Sequence, residues 1–238
     1  MKRYAGAIGT AVAGAFGLAL LAANSTSATT TVSMEELGRS LFFDTNLSKN
    51  RTEACASCHD PEFAFTDPRG MASPGDDGVS LGDRNAPTAA YASFSPAFHR
   101  DKDGEWVGGQ FLDGRAATLE EQAGGPPLNP AEMGMPDKAA VVERLRENPD
   151  YQANFAALFG ADVMDDPDAA YDAMTKAIAA FEKTDEFAPF DSKYDRFLRG
   201  EAKFALWLPT TKQVAPSSLL TSVSSKTTRT MPAWMRPF

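Results

Sequence analysis

The pentapeptide Cys55-Ala56-Ser57-Cys58-His59 constrains the fold of this chain more than any other feature. Two cysteines three positions apart and a following histidine form C-x-x-C-H, the attachment signature of c-type haem. Each thiol can form a thioether with one vinyl group of the same porphyrin, and the imidazole can bind the iron as an axial ligand. Because the chain has only two cysteines, the sequence predicts one covalently bound haem c, held by Cys55, Cys58 and His59.

Two other interpretations of the cysteine pair stay open on the sequence alone. A C-x-x-C pair also forms redox-active disulfides or half of a zinc site. A redox pair normally follows a buried strand, whereas the residues before Cys55, 48–53, are polar. Zinc needs further ligands, and His99 is the only other histidine of the chain. Both observations favour haem.

The N-terminal residues have the composition of a secretory signal. Lys2 and Arg3 precede an apolar run from Ala5 to Ala23, and Ala28 follows small residues. This pattern predicts a signal peptide over residues 1–28, with an uncleaved membrane anchor as the alternative. Export to the periplasm fits haem c, and no membrane association is expected after cleavage.

Length limits the number of domains, and net charge limits the kind of partner. The 238 residues suffice for one large domain or two small ones. The formal net charge of -9 argues against nucleic acid and anionic membrane surfaces, and it suits a basic redox partner.

Helical periodicity and capping signals predict an all-α fold with long irregular loops and no strand. Met174 lies on an apolar helical stripe and is expected to be core rather than an iron ligand. Phe63 and Phe65 are expected either to wall the porphyrin or to be core. The predicted helices are 34–43, 119 to about 123, 137–147, 149–159, one that begins at 167, and 192–198.

The last stretch of the chain differs from the rest. Residues 202–238 contain no Asp or Glu and are rich in Ser and Thr. Such a composition predicts a disordered or aberrant tail, assigned to residues 201–238.

With these motifs in order, residues from Leu37 to Gly200 resemble the bacterial di-haem cytochrome c peroxidase family, which includes MauG-like proteins. The segments that carry the resemblance are Gly38-Arg39-Ser40-Leu41-Phe42-Phe43-Asp44, Cys55-Ala56-Ser57-Cys58-His59, Phe65-Thr66-Asp67, Arg84-Asn85-Ala86-Pro87-Thr88, Asp113-Gly114-Arg115-Ala116, Leu119-Glu120-Glu121-Gln122-Ala123, Asn129-Pro130, Glu132-Met133 and Ala177-Ile178-Ala179-Ala180-Phe181-Glu182.

The resemblance implies that residues 33–200 form a cytochrome c-like domain, the peroxidatic half of a two-haem enzyme. It implies reduction of hydrogen peroxide with electrons from a small periplasmic redox protein of the cytochrome c or cupredoxin type, and it leaves a homodimer open. The residues that match the family's site are Cys55 and Cys58 on the haem, His59 as proximal ligand, Glu132 as acid–base, Gln122 as distal amide, and Asn85 as a calcium ligand.

Three departures from the family bear on activity. Residues 71–83 contain no histidine to cap the iron, which implies an open sixth site. Leu112 stands where the family has a tryptophan between the haems. No second C-x-x-C-H follows Gly200. The activity is therefore expected to be impaired, and a mono-haem electron carrier, a non-functional truncated fragment and MauG-like oxidation of another protein remain alternatives.

Overall fold

A computed structural model describes residues 32–201 of the chain. The predicted signal peptide and the predicted tail beyond residue 201 lie outside these residues. Within them the fold is mostly helical with little sheet, as the periodicity predicts. Its elements are α1 (Met34–Phe42), α2 (Cys55–Cys58), β1 (His99–Arg100), β2 (Trp106–Val107), α3 (Leu119–Ala123), α4 (Lys138–Arg146), α5 (Pro149–Phe159), α6 (Pro167–Glu182) and α7 (Lys193–Leu198).

Helix α1 begins at a reciprocal cap. The Ser33 hydroxyl accepts a hydrogen bond from the Glu36 amide at 3.2 Å, and the Glu36 carboxylate accepts one from the Ser33 amide at 2.8 Å. The helix packs closely on α6 because Gly38 faces it. A Cβ atom on Gly38 would lie 1.8 Å from the Ala177 carbonyl oxygen, so this approach requires glycine.

Helix α6 is the central helix of the fold and packs against α1, α3 and α4. Asp166 caps its N-terminus, and Pro167 occupies the first turn, where no amide donor is needed. Met174 is fully buried in the core, as predicted. The stripe with which α6 enters the core consists of Tyr171, Met174, Ile178 and Phe181.

The aromatic residues after the haem motif do not wall the cavity described below. Phe65 is buried and stacks on Phe187, with ring centroids 4.0 Å apart. Phe63 is 51% exposed. Neither residue lines the cavity, so the porphyrin-wall prediction is wrong for both, and the core alternative holds for Phe65.

The prediction of no strand is wrong at one place. Strands β1 and β2 form an antiparallel hairpin in which His99 pairs with Val107. Two-residue strands are too short to carry the alternation by which strands are recognised. His99 is exposed in this hairpin, and its Nδ1 lies 2.7 Å from the Ala97 carbonyl oxygen. No helix within residues 32–201 is long and apolar enough to cross a bilayer.

Candidate functional site

The sequence-predicted site residues meet around one cavity of about 430 Å³. Its lining comes from α2, the loop before α3, α3 itself, the loop after α3 and the C-terminal half of α6. The apolar part of the wall includes Ala54, Leu119, Met133 and Ile178. The predicted residues that line the cavity are Cys55, Cys58, His59, Asn85, Gln122 and Glu132.

Helix α2 is a single turn that positions the two thiols. The Ser57 hydroxyl accepts a hydrogen bond from the Ala54 amide at 3.0 Å, which closes the start of the turn. Residues three apart lie on the same side of a helix, so Cys55 and Cys58 face the cavity together. The His59 amide ends the turn by donating to the Cys55 carbonyl at 2.9 Å.

The His59 imidazole is held in one tautomer. Its Nδ1 lies 3.1 Å from the Phe65 carbonyl oxygen. A carbonyl only accepts, so Nδ1 carries the proton and Nε2 keeps a lone pair for a metal. Burial lowers the pKa of His59 below its ordinary value, while the Phe65 and Pro87 carbonyls act in the opposite direction. A neutral imidazole is the form that binds iron.

The thiols lack the character of a reactive redox pair. Burial raises the pKa of Cys55 to about 12 and that of Cys58 to about 11, and nearby carboxyl groups act in the same direction. Redox-active cysteines have lowered pKa values because positive charge stabilises the thiolate. Arg69, the cation at Cys58, has its Nη2 3.4 Å from the sulfur but is shared with Asp67 and Glu53. The redox-pair alternative is therefore disfavoured.

Glu132 lies in the cavity wall in a half-buried position. Burial raises the pKa of its carboxyl above the ordinary value, although Asn129 and Arg115 act in the opposite direction. Gln122, also half-buried, lines the same cavity from α3. A carboxyl with a raised pKa and a neutral amide thus share the space that the attachment residues border.

Asp76 fixes the Glu132 loop relative to the haem motif. Its amide donates to the Glu132 carbonyl at 2.8 Å. Its buried carboxylate accepts hydrogen bonds from the Ser48 hydroxyl at 2.6 Å and the Thr52 hydroxyl at 2.7 Å. Burial acts to raise the pKa of Asp76, but these hydrogen bonds lower it overall. The carboxylate therefore links the segment before Cys55 to the loop that carries Glu132.

Two arginines at the cavity rim were not predicted. Arg84 and Arg115 both pair with Asp113, at 2.8 and 2.9 Å. These hydrogen bonds lower the pKa of Asp113 to about 2. Leu112 is 61% exposed beside them and lines the rim. The available sequence signal was the opposite charges of Asp113 and Arg115, which both belong to a segment of the family resemblance.

Glu182, the last residue of α6, is a further site residue that sequence reasoning missed. It lines the cavity, yet only 6% of it is exposed. Its position four residues after Ile178 continues the buried stripe of α6, and an ionisable residue at such a position was the available signal.

The comparisons with known proteins agree with this geometry. The model of the di-haem cytochrome c peroxidase family matches residues 33–203. The chain belongs to the di-haem cytochrome c peroxidase family. This peroxidase-family chain is 60% identical over 173 residues to the methylamine utilization protein MauG of Paracoccus denitrificans, covering 71% of the chain and 45% of that protein.

Other relatives include cytochrome c peroxidases. The cytochrome c peroxidase Ccp of Escherichia coli is 36% identical over 165 residues, which cover 69% of the chain and 31% of that protein. The crystal structure of the diheme peroxidase BthA from Burkholderia thailandensis matches with a TM-score of 0.68 and 34% identity, covering 71% of the chain and 43% of BthA. The family chain therefore spans less than half the length of these relatives.

The family implies haem c, and the residues around the cavity fit that group. Two thiols on one helical turn face the cavity, the adjacent imidazole has its Nδ1 engaged by a carbonyl, and apolar side chains form part of the wall. Within residues 32–201 no group of three or more His, Cys, Asp or Glu side chains forms a candidate metal cluster. The calcium prediction at Asn85, an exposed residue of the rim, stays a prediction.

Proposed function

We propose that residues 33–200 form a cytochrome c-like peroxidatic domain that reduces hydrogen peroxide at a covalently attached haem c. The observation that carries the proposal is the shared cavity. The attachment residues Cys55, Cys58 and His59 line the same space as Glu132 and Gln122. Membership of the di-haem peroxidase family supports the same chemistry.

Each residue has a role that its chemistry supports. Cys55 and Cys58 would hold the porphyrin through thioethers, and His59 Nε2 would ligate the iron. When bound, haem c supplies the iron at which the O–O bond of hydrogen peroxide is reduced. The reaction takes up two electrons and two protons per peroxide and yields two waters.

Glu132 moves a proton in this proposal. Its carboxylate accepts one proton from hydrogen peroxide and delivers it to the oxygen that leaves as water. The raised pKa keeps this carboxyl closer to the operating pH than an ordinary glutamate, which improves both steps. The Gln122 amide donates a hydrogen bond to peroxide oxygen and fixes its position without being consumed.

The electron donor in this proposal is a small redox protein of the cytochrome c or cupredoxin type in the periplasm. Calcium at Asn85 and a homodimer belong to the same proposal through the family resemblance.

The test is the optical spectrum of the ferric chain after maturation with haem c, recorded before and after addition of hydrogen peroxide. We expect a high-spin spectrum that changes on mixing and returns when a reduced donor is added. A low-spin spectrum indifferent to peroxide would refute peroxide reduction and leave a mono-haem electron carrier. Failure to obtain soluble haem protein would favour a non-functional fragment.

A second candidate is MauG-like oxidation of a protein partner, which the 60% identity to MauG favours. In that case the peroxide-treated chain would return to its starting spectrum on oxidising a protein side chain. A small redox donor would react slowly by comparison. Comparing the two return rates in one stopped-flow experiment separates the candidates.

A further inference from the structure

The Glu182 carboxyl occupies an unusual position in the cavity wall. Only 6% of the residue is exposed, and its Oε2 atom is buried with no hydrogen-bond partner. The carboxyl also lies near enough to the Cys55 sulfur to raise the pKa of that thiol. The residue that carries the unpartnered oxygen thus belongs to the part of the wall near Cys55, where the porphyrin would be attached.

The ion pairs of the cations at the end of α6 and on the neighbouring helices α1 and α4 join them to carboxylates other than Glu182. Lys183, which follows Glu182, is bound to Glu120 of α3 at 2.6 Å. Glu132 is the other carboxyl of the cavity lining that acts on Cys55. Arg39 of α1 pairs with Glu186 at 3.7 Å. Lys138 of α4 pairs with Asp168 at 2.6 Å.

A buried carboxylate without a counter-charge is costly, so the carboxyl favours its neutral form. Burial raises the pKa of Glu182 to about 8, with Glu120 acting in the same direction and Lys183 against it. Around and above pH 8, where part of the group is ionised, a negative charge added nearby is therefore enough to drive its protonation.

We propose that Glu182 is a redox-linked proton site, whose carboxylate binds one proton when the haem domain gains an electron and releases it when the electron leaves. The added electron comes from an external reductant and the proton from solvent. The negative charge of the electron destabilises ionised Glu182 across a cavity of low dielectric constant. The charge of the site is then the same before and after reduction.

Such a site would serve the proposed function directly. Peroxide reduction consumes one proton with each electron, and Glu182 would load a proton together with the electron. The inference rests on the haem attachment that we propose, but it does not require peroxide reduction.

The experiment is a spectroelectrochemical titration of the haem-loaded chain over a range of pH. In the wild type we expect the reduction potential to fall as pH rises, because a tenfold change in proton activity corresponds to about 59 mV for one electron. The Glu182→Gln variant is neutral at all pH values and is expected to lose this slope around pH 8. A wild-type potential that is independent of pH there would overturn the proposal.

Two control variants identify the group that titrates. Asp172→Asn removes one charge from an exposed position of α6 and is expected to keep the slope. Glu132→Gln removes the other cavity carboxyl that acts on Cys55 and is also expected to keep the slope. If the slope survives in Glu182→Gln and disappears in Glu132→Gln, the linked site is Glu132 and the proposal is wrong.

A second variant covers the case in which Glu182→Gln fails to mature. Glu182→Asp retains the acid, so it is expected to keep a slope in a shifted pH window, and a flat profile would count against the proposal. A wild-type chain that acquires no covalent haem would overturn the proposed function and this inference together. A haem-loaded wild type without peroxide activity would refute only the former.

Discussion

Glu132 is the residue to which the proposed reaction assigns both proton transfers. Replacing it with glutamine keeps the size and removes the base. We expect Glu132→Gln to lower kcat/KM for hydrogen peroxide by about 10²–10⁴-fold, the usual contribution of general acid–base catalysis. Steady-state oxidation of a reduced donor measures this loss.

The pH dependence of the same reaction follows from the direction of the pKa shift. The pKa of Glu132 is raised above its ordinary value of 4.5, and only the ionised form accepts a proton. The wild-type rate is therefore expected to fall as pH is lowered through this raised pKa, and the acid limb should be absent in Glu132→Gln. Glu143→Gln, an exposed change on α4, is the matched control. An acid limb that persists in Glu132→Gln would contradict the assignment.

The cysteines permit a separate test of attachment. Cys58→Ala leaves Cys55 as the only thiol of the chain, so one thioether is expected to form and one vinyl group to remain. That vinyl extends the conjugation of the ring, and the pyridine haemochrome band is expected to shift to longer wavelength. The double variant Cys55→Ala/Cys58→Ala should carry no covalent haem on a denaturing gel, and retained haem there would refute the assignment.

Residues with a local signature could be predicted from the sequence, and residues defined by packing could not. The spacing of Cys55, Cys58 and His59 is by itself typical of haem c attachment. The roles of Glu132 and Gln122 could be predicted only from the family resemblance. Glu182 lies 127 positions after Cys55 in the numbering of the chain. Only the packing of α6 on the cavity brings the Glu182 carboxyl beside the haem motif.

The contact between α1 and α6 depends on the absence of one side chain. A Cβ atom on Gly38 would meet the Ala177 carbonyl oxygen at 1.8 Å, so Gly38→Ala forces the helices apart. Alanine favours the helix itself by up to about 1 kcal/mol, but overpacking costs about 1–3 kcal/mol or more. We expect the free energy of unfolding to fall by about 2 kcal/mol or more, as measured by urea denaturation.

Ser40→Ala supplies the control for this prediction, because Ser40 is exposed on the same helix. Its effect is expected to stay within about 0.5 kcal/mol, as for most surface substitutions. Equal stability of Gly38→Ala and the wild type would show that α1 and α6 do not pack as described.

Within residues 32–201, caps and periodicity were sufficient to predict the α-helices other than the single turn α2, but not the hairpin. The Ser33 cap and the Pro167 start gave helix boundaries close to those observed, because both act through neighbouring residues. The hairpin of β1 and β2 is instead held by its turn and by tertiary packing. Phe98 stacks on Trp106 at 4.8 Å, and Arg100 lies 4.6 Å from the centre of the Trp106 ring. Such cross-strand contacts leave no periodic pattern.

The chain as a whole matches less than half of each relative described, 45% of the Paracoccus protein and 43% of BthA. The geometry of the cavity therefore does not determine the surface on which an electron donor would dock. The formal net charge of -9 is the property of the whole molecule that affects the approach of a charged donor. Long-range attraction between opposite charges speeds association.

This charge predicts how the donor reaction responds to salt. The Debye length falls from about 30 Å at 0.01 M to about 8 Å at 0.15 M ionic strength, so added salt screens attraction between the chain and a basic donor. We expect kcat/KM for a basic cytochrome c to fall about tenfold or more over this range, and that for an acidic donor to rise or stay low. Hydrogen peroxide is uncharged, so its own kcat/KM at saturating donor is the internal control and should not change. Equal salt responses of basic and acidic donors would mean that a local patch, rather than the net charge, guides the donor to this chain.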